Sequence, residues 1–407
     1  SLIDLPDLQK KNAENYVKNE YSLSNNLEPI IKKSPNKKIR IGYYSADFNN
    51  HPTSFLIIQL LELHDRSNFE IFCFSLANRK DDEMRKRVLN ACDKFLDVSL
   101  KSDQEIAKIS RDLNIDIACD VMGFTKGNKF QIFAEKCAPI QVSYLAFPGT
   151  TGANFIDYVI ADKTIISQEL KKNYSEKIIF LPDTYQVNDS TKKISDKVFT
   201  REEMGLPKDS FVFCCFNKNY KILPRVFDIW MNLLKKVKGS VLWLLVENSI
   251  AIENLKKEAT KRDIDKNRLI FAKIMPLSDH LARHKCADVF IDTFPYTAHT
   301  TCSDALWAGL PVVTRIGKSF ASRVSASLLK AIDLPELITH SDEEFENLAL
   351  DFANNKNKLH QVKIKLEKNK LSKPLYNTKL YTRNIESSYK IIHDRYLRDL
   401  PAEDVEI

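Results

Sequence analysis

The feature that most constrains the fold of this chain is an alternation of short apolar runs with amphipathic stretches, which occurs twice. One series opens with "IRIGYYSA" and "SFLIIQLLELH", and the other opens with "FVFCCFN" and "PRVFDIWMNLLKKV". Near-continuous apolar strands separated by helices of 10–15 residues are typical of parallel sheets covered on both faces. The sequence therefore predicts two doubly wound, Rossmann-like α/β domains in series that face a cleft.

The domain boundaries follow from a polar stretch that separates the two series. We predict an N-terminal arm at 1–38, a first domain at 39–195, a second domain at 196–375 and a C-terminal helix at 376–407 that returns to the first domain. A chain of 407 residues is also longer than one ordinary hydrophobic core requires, which favours two domains.

Charge and composition exclude several classes of protein. The net charge of +7 is mild and spread along the chain, so we expect no nucleic-acid partner. The eight cysteines show no zinc-ligand spacing, and no G-x-G-x-x-G or Walker loop occurs, so we expect no metal and no dinucleotide or P-loop chemistry. Without an 18-residue apolar run or a signal peptide, we expect a cytoplasmic protein with no membrane partner.

One candidate site follows the apolar run "DVFIDTF", in the segment "HTTCSD". Ligands bind at the carboxyl ends of parallel strands, so side chains that follow strands are the first candidates. Thr300 or Thr301 is predicted to cap a helix whose free N–H groups and dipole bind phosphate. The structural alternative is an ordinary capping box, because Asp304 stands three residues after Thr301.

Other strand-end loops carry side chains that suit the same ligand. Lys221, with Lys218, follows "FVFCCFN" and would add positive charge to a bound anion. Asp304 is suited to accept from ribose hydroxyls, and the flat ring of His280 is suited to stack on a base. Together they predict a nucleotide-diphosphate site without a metal, although a single loop lysine is more often simply solvated.

His51 follows the first strand in "DFNNHPTS" and has two interpretations. It is either a functional residue at the strand end or a hydrogen-bonding residue at the start of the next helix.

Seven motifs in order give the chain a resemblance to a known family. They are "RIGYYSADFNNHPTS", "APIQVSYLAFPGTTGANFIDYVIAD", "FNKNYKILP", "SVLWLL", "IDTFPYTAHTTCSDALWAGLPVVT", "SFASRVSASLL" and "PLYNTK". From Ile39 to about Leu397 the chain resembles the catalytic region of the O-linked N-acetylglucosaminyl transferases, glycosyltransferase family 41, and its bacterial members most. The resemblance implies a GT-B fold and inverting, metal-independent sugar transfer.

The resemblance also implies roles for individual residues. Lys221 would stabilise the departing diphosphate, His299 would approach the sugar or phosphate, and His51 would lie on the sugar and acceptor side. The implied donor-binding residues are Lys218, Lys221, Met275, His280, His299, Thr300, Thr301 and Asp304.

The chain departs from the family pattern in places. Leu277 stands where members often carry a lysine, and Lys218 stands where animal members have a glutamine. The large insert between the catalytic domains of animal members is absent, and the first 38 residues are at most a remnant of their repeat region.

The function that these features imply is transfer of N-acetylglucosamine from UDP-N-acetylglucosamine to Ser or Thr of a protein. The alternatives within the family are transfer of fucose from GDP-fucose to Ser or Thr and of glucose from UDP-glucose to Asn. A non-catalytic scaffold that binds nucleotide sugars is the alternative from another class. The presence of Lys221 together with His299–Asp304 argues against it, because a scaffold has no leaving group to stabilise.

Overall fold

A computed structural model describes residues 2–21, 27–32, 36–78 and 81–407. The chain divides into two compact units. The N-terminal unit comprises Leu5–Thr191 and Pro374–Ile407, and the C-terminal unit comprises Ser1–Asp4 and Lys192–Lys373. The end of the predicted arm helix and part of the lysine-rich link after it lie outside the described residues.

Strands and helices alternate through most of both units. The strands, in chain order, are β1 (Ile39–Ser45), β2 (Phe69–Ser75), β3 (Lys94–Asp97), β4 (Ile117–Asp120), β5 (Ile140–Ser143), β6 (Tyr158–Asp162), β7 (Lys177–Leu181), β8 (Val212–Cys215), β9 (Val241–Leu244), β10 (Leu269–Phe271), β11 (Val289–Ile291), β12 (Val312–Arg315), β13 (Ile338–Thr339) and β14 (Val405–Glu406). The α-helices are α1 (Pro6–Glu20), α2 (Pro52–Leu63), α3 (Glu83–Ala91), α4 (Asp103–Asp112), α5 (Gln131–Ala134), α6 (Pro224–Lys236), α7 (Ser249–Thr260), α8 (Leu277–Arg283), α9 (Thr300–Trp307), α10 (Val324–Ala331), α11 (Asp342–Asn354), α12 (Lys356–Ser372) and α13 (Thr378–Leu397). Short 3-10 helices span Gln168–Asn173, Asn219–Lys221, Lys266–Arg268, His284–Cys286, Phe320–Ser322, Pro335–Leu337 and Pro374–Tyr376.

The N-terminal unit is built on a parallel sheet in the order β14-β7-β6-β5-β4-β1-β2-β3. Its central strands are buried on both faces, which explains their near-continuous apolar sequence. On one face the rings of Tyr44 and Phe74 stack with centroids 4.3 Å apart. The chain leaves β1 toward β2 on one side and later returns to β4 on the other, so the topology switches between β1 and β4.

The C-terminal unit repeats this plan in the parallel order β10-β9-β8-β11-β12-β13. Trp230 of α6 and Trp243 of β9 are fully buried in its core. Here the switch lies between β8 and β11, and such a point is where open α/β sheets bind their ligands. The predicted parallel sheets and α/β class are confirmed.

The arm helix α1 packs against the N-terminal unit at Gly152. This glycine has φ +67°, and a Cβ there would come within 2.5 Å of the backbone nitrogen of Glu14. Any other residue would therefore push α1 away from the loop "PGTTG".

The last helix, α13, is tied to the N-terminal sheet by a buried polar chain. His64, after α2, places Nδ1 2.9 Å from Glu386 Oε1 and Nε2 2.8 Å from the Tyr43 hydroxyl. The same Glu386 oxygen accepts from the Asp65 backbone N–H at 2.7 Å. Burial lowers the pKa of His64. Glu386 therefore supplies the acceptor that lets these polar groups be buried.

None of the helices in the described part of the chain has the length and apolar character needed to cross a membrane.

Replacement of Glu386 by alanine should cost about 1–3 kcal/mol of unfolding free energy, because the buried ring N–H of His64 loses its acceptor. Urea unfolding followed by far-UV circular dichroism measures this loss. Asp394→Ala, which removes an exposed carboxylate from the same helix, is the matched control and should change stability by less than about 0.5 kcal/mol. Equal stabilities of the two variants would contradict the proposed tie.

Candidate functional site

The candidate site is organised around Asp292, the residue after β11, which is 2% exposed. Burial raises the pKa of its carboxyl, and hydrogen bonds to the carboxylate oppose that rise. Five groups donate to its two oxygens: Thr293 N (2.7 Å), Ala298 N (2.7 Å), Asn217 Nδ2 (3.0 Å), Thr314 Oγ1 (2.7 Å) and Ser325 Oγ (2.6 Å). Asp292 thus joins the ends of β8, β11 and β12 to α10 and fixes the loop before α9.

Lys221 lies at this point, at the end of the short helix that follows β8. It is 8% exposed, and its Nζ donates to the backbone oxygen of Thr297 at 3.0 Å. Burial lowers the pKa of Lys221 to about 8, while the charge of Asp292 acts in the opposite direction. The loop therefore holds a lysine ammonium that is largely removed from water. Lys218, in the same loop, is exposed.

His299 is the residue immediately before α9. Its Nε2 lies 3.3 Å from the carbonyl oxygen of Ala321. A carbonyl only accepts, so Nε2 carries the hydrogen and Nδ1 keeps its lone pair. Burial first, and then the positive charge of Lys221, lower the pKa of His299 far below its usual range. The ring is therefore a neutral imidazole of fixed orientation.

The start of α9 corrects one prediction. Neither Thr300 nor Thr301 is the N-cap; that position is His299, and no side chain caps the helix. Instead the Thr301 hydroxyl donates to Asn217 Oδ1. The amide of Asn217 is fixed in this orientation because its Nδ2 donates to Asp292. The predicted capping box with Asp304 is not formed. As the first residues of the helix, Thr300 and Thr301 have backbone N–H groups without intrahelical acceptors, which suits the start of α9 to anion binding.

Asp304, one turn into α9, forms a buried ion pair that the sequence analysis missed. Lys192 Nζ lies 2.6 Å from Asp304 Oδ1, and the two side chains are 3% and 10% exposed. Trp307 Nε1 also donates to the backbone oxygen of Lys192 at 3.1 Å. The signal available in the sequence was indirect: a carboxylate in an apolar helix needs a counter-charge. With more than a hundred residues between them, nothing selected Lys192 among the many lysines.

His280 lies in α8 and packs against Phe216, which follows β8, with ring centroids 5.1 Å apart. Its Nδ1 lies 2.5 Å from Arg283 Nη2, so Nδ1 is the acceptor and the ring is neutral. Burial, with the positive charges of its neighbours, lowers the pKa of His280 to about 2. Arg283, also missed by the sequence analysis, is fully buried and lies over the rings of Phe216 and Trp243.

Two more predicted residues lie elsewhere. Met275 is partly buried in the segment between β10 and α8. His51 belongs to the N-terminal unit, where it is the N-cap of α2 and its Nδ1 accepts from Thr53 N at 3.3 Å. This is the helix-capping contact that the sequence offered as the structural interpretation. The His51 side chain lies beyond the carboxyl end of β1 and is 42% exposed. Its role on the acceptor side stays a prediction.

The structure thus brings Lys221, His299 and the start of α9 together around Asp292. Asp304 and His280 lie in helices that adjoin the same sheet edge. Within the described part of the chain, no three His, Cys, Asp or Glu side chains are grouped so as to hold a metal ion.

Two Rossmann-like units built on parallel sheets are the architecture of the GT-B fold. The sequence model of Glycosyl transferase family 41 matches residues 16–198 and 191–385. The chain belongs to this family, which confirms the resemblance drawn from its motifs.

Individual relatives agree. A probable UDP-N-acetylglucosamine–peptide N-acetylglucosaminyltransferase (SEC) of Arabidopsis thaliana is 39% identical over 367 residues, covering 89% of this chain and 38% of the relative. The corresponding transferase of Caenorhabditis elegans is 27% identical, covering 91% of this chain and 42% of the relative. The chain thus spans about two fifths of these curated relatives.

Solved structures show the same fold. A mutant of the O-GlcNAc transferase of Thermobaculum terrenum superposes with a TM-score of 0.87 at 27% identity, covering 98% of this chain and 76% of that one. HepE of Anabaena, in complex with UDP and glucose, gives a TM-score of 0.58 at 14% identity, covering 86% of this chain and 100% of that one, and shows a shared fold alone.

The Lys192–Asp304 pair generates a stability prediction. Lys192→Met should lower the unfolding free energy by about 3–5 kcal/mol, because it leaves a buried carboxylate without its counter-charge. Trp230, Trp243 and Trp307 all lie in the C-terminal unit, so tryptophan fluorescence during urea unfolding reports on this unit. Lys193→Met, at the adjacent exposed position, is the matched control and should be nearly neutral. A loss no greater than that of the control would show that the pair is not stabilising.

Proposed function

We propose that this chain catalyses inverting, metal-independent transfer of N-acetylglucosamine from UDP-N-acetylglucosamine to a Ser or Thr hydroxyl of a protein. The observation that carries the proposal is the buried ammonium of Lys221 beside the loop that leads into α9. The activities for which the Arabidopsis and Caenorhabditis relatives are named support the donor and the kind of acceptor.

The proposed chemistry is a single displacement at the anomeric carbon. The acceptor hydroxyl forms the new bond to that carbon as the bond to the diphosphate oxygen breaks, and the hydroxyl proton passes to solvent or to a base. Negative charge develops on the diphosphate as it leaves. Lys221 and the N–H groups of Thr300 and Thr301 supply positive charge and donors that are already in position, and such preorganised groups are the strongest contributors to catalysis of this kind. This supply of charge is the argument for metal independence.

The remaining residues are assigned to the parts of the donor. His299, neutral and fixed by Ala321, contacts the sugar or phosphate through Nδ1. Asp304 accepts from the ribose, with Lys192 holding its carboxylate in place. The neutral ring of His280 packs on the base, near Met275, and the exposed Lys218 adds charge at the outer side of the diphosphate.

The acceptor side is assigned to the N-terminal unit, since His51 lies at the carboxyl end of β1 next to the switch between β1 and β4. His51 is our candidate for the contact with the sugar and the acceptor. From the sequence we also propose that the enzyme is of bacterial type and acts in the cytoplasm.

Lys221→Ala should lower the rate of transfer at least about a hundredfold, the scale seen when one donor to a transition-state charge is removed. The rate is measured with UDP-N-acetylglucosamine and a Ser/Thr-containing protein acceptor. Lys218→Ala removes an exposed lysine from the same loop and should cost much less. Near-normal turnover by Lys221→Ala would refute the role assigned to this lysine.

Donor identity is tested by thermal unfolding of the chain in EDTA with UDP, GDP and their sugars. UDP and UDP-N-acetylglucosamine should raise the unfolding temperature and GDP should not, because only a bound ligand stabilises the folded state. Stabilisation by GDP-fucose or by UDP-glucose instead would favour the alternative transferases. Binding without any transfer would favour the scaffold, and a need for manganese would contradict metal independence.

A further inference from the structure

Lys221 also contacts an aromatic ring, that of Tyr296. Its Nζ lies 3.7 Å from the centroid of the Tyr296 ring. This is well inside the distance of about 6 Å at which a ring face attracts a cation. Tyr296 lies two residues after Phe294 in the loop between β11 and α9.

We propose that Tyr296 is a positioning residue whose ring forms an aromatic platform under the Lys221 ammonium. The platform holds the ammonium in place and favours its cationic form, so that its remaining N–H groups meet the diphosphate of the donor. This inference rests on the proposed function for the identity of the anion, but the contact itself does not.

The geometry leaves Lys221 few directions. An ammonium has three N–H donors, and one is directed to the Thr297 oxygen at 3.0 Å. The Tyr296 ring covers a second side. We assign the remaining N–H to the ligand anion.

The platform is itself fixed. The backbone oxygen of Tyr296 accepts from Thr293 Oγ1 at 2.6 Å, and Thr293 N donates to Asp292. The Tyr220 ring meets the Tyr296 ring edge-on with centroids 6.1 Å apart. The His299 ring lies 5.0 Å away on another side. Tyr296 therefore contacts Lys221 and His299, two of the residues that we assign to the phosphate side of the donor.

The charges around Lys221 make its protonation sensitive to such a contact. Burial lowers its pKa to about 8, while the charge of Asp292, after β11, acts to raise it. Burial raises the pKa of the Cys215 thiol, at the end of β8, so this thiol is uncharged near neutral pH. His299 is neutral, and burial raises the pKa of the Tyr220 and Tyr296 hydroxyls, so these three neighbours add no compensating negative charge near neutral pH. A ring face attracts the ammonium and not the neutral amine. Removal of the Tyr296 ring therefore shifts the protonation equilibrium of Lys221 toward the neutral amine.

Two substitutions separate the ring from the rest of the side chain. Tyr296→Phe keeps the aromatic face and removes the hydroxyl, whereas Tyr296→Leu keeps the apolar bulk and removes the face. The pKa of Lys221 is measured from the pH dependence of its acetylation by acetic anhydride, followed by peptide mass spectrometry. We expect the pKa of Lys221 in Tyr296→Phe to equal that of the wild type. In Tyr296→Leu we expect this pKa to be lower by about one unit.

The transfer assay supplies a second readout. If protonated Lys221 is required, activity falls as pH rises through the pKa of Lys221. The alkaline limb of the pH–rate profile should then move down by about one unit in Tyr296→Leu, which is about a fivefold loss at pH 8 that lessens toward pH 6.5. Tyr296→Phe should keep the wild-type profile.

The outcomes separate this inference from the proposed function. If Lys221 shifts as expected but no form of the chain transfers sugar, the platform stands and the proposed function fails. If the Lys221 pKa is the same in the wild type and in Tyr296→Leu, with unchanged circular dichroism, the platform is refuted. Tyr296→Met, a second non-aromatic side chain, replaces the leucine variant if that one does not fold.

Discussion

The interaction on which the candidate site depends is the burial of the Asp292 carboxylate. A charge in this position is costly unless its oxygens are fully hydrogen-bonded, and five donors from four parts of the C-terminal unit meet there. The position of each donor is therefore set by its hydrogen bond to Asp292. The loop between β11 and α9 is held in the same way, because the backbone N–H groups of Thr293 and Ala298 both donate to Asp292.

The chemistry of the site follows from this fixed loop. Because the Thr297 oxygen and the Tyr296 ring are held in place, Lys221 is buried with its ammonium in one position. The same loop orients the neutral ring of His299 and begins α9 with unpaired N–H groups. A buried ion pair between Lys192 and Asp304 also holds α9. Burial thus both positions these groups and lowers the pKa of Lys221 to about 8, into the range where its environment decides its charge.

Much of the fold was predictable because parallel strands buried on both faces have a distinctive sequence. The edge strands β3, β13 and β14 were missed, since they are short and only partly apolar. In the site, the segments that carry Lys221, His280 and Asp304 were found because each follows a strand. The N-cap of α9 was predicted wrongly, because the Thr301 hydroxyl donates to Asn217 and does not bond to the backbone of its own helix. Local capping rules do not include a partner that lies 84 residues away.

The sequence by itself determined the two doubly wound sheets, the family and the loops in which functional side chains stand, because periodicity and motif spacing are local properties of the chain. The tertiary structure alone decided which of those side chains meet. The Lys192–Asp304 pair, the buried Arg283 over the rings of Phe216 and Trp243, and the Tyr296 ring over Lys221 all join elements that are distant in sequence. Their charge and orientation depend on burial, and burial exists only once the sheet has brought its strand ends together.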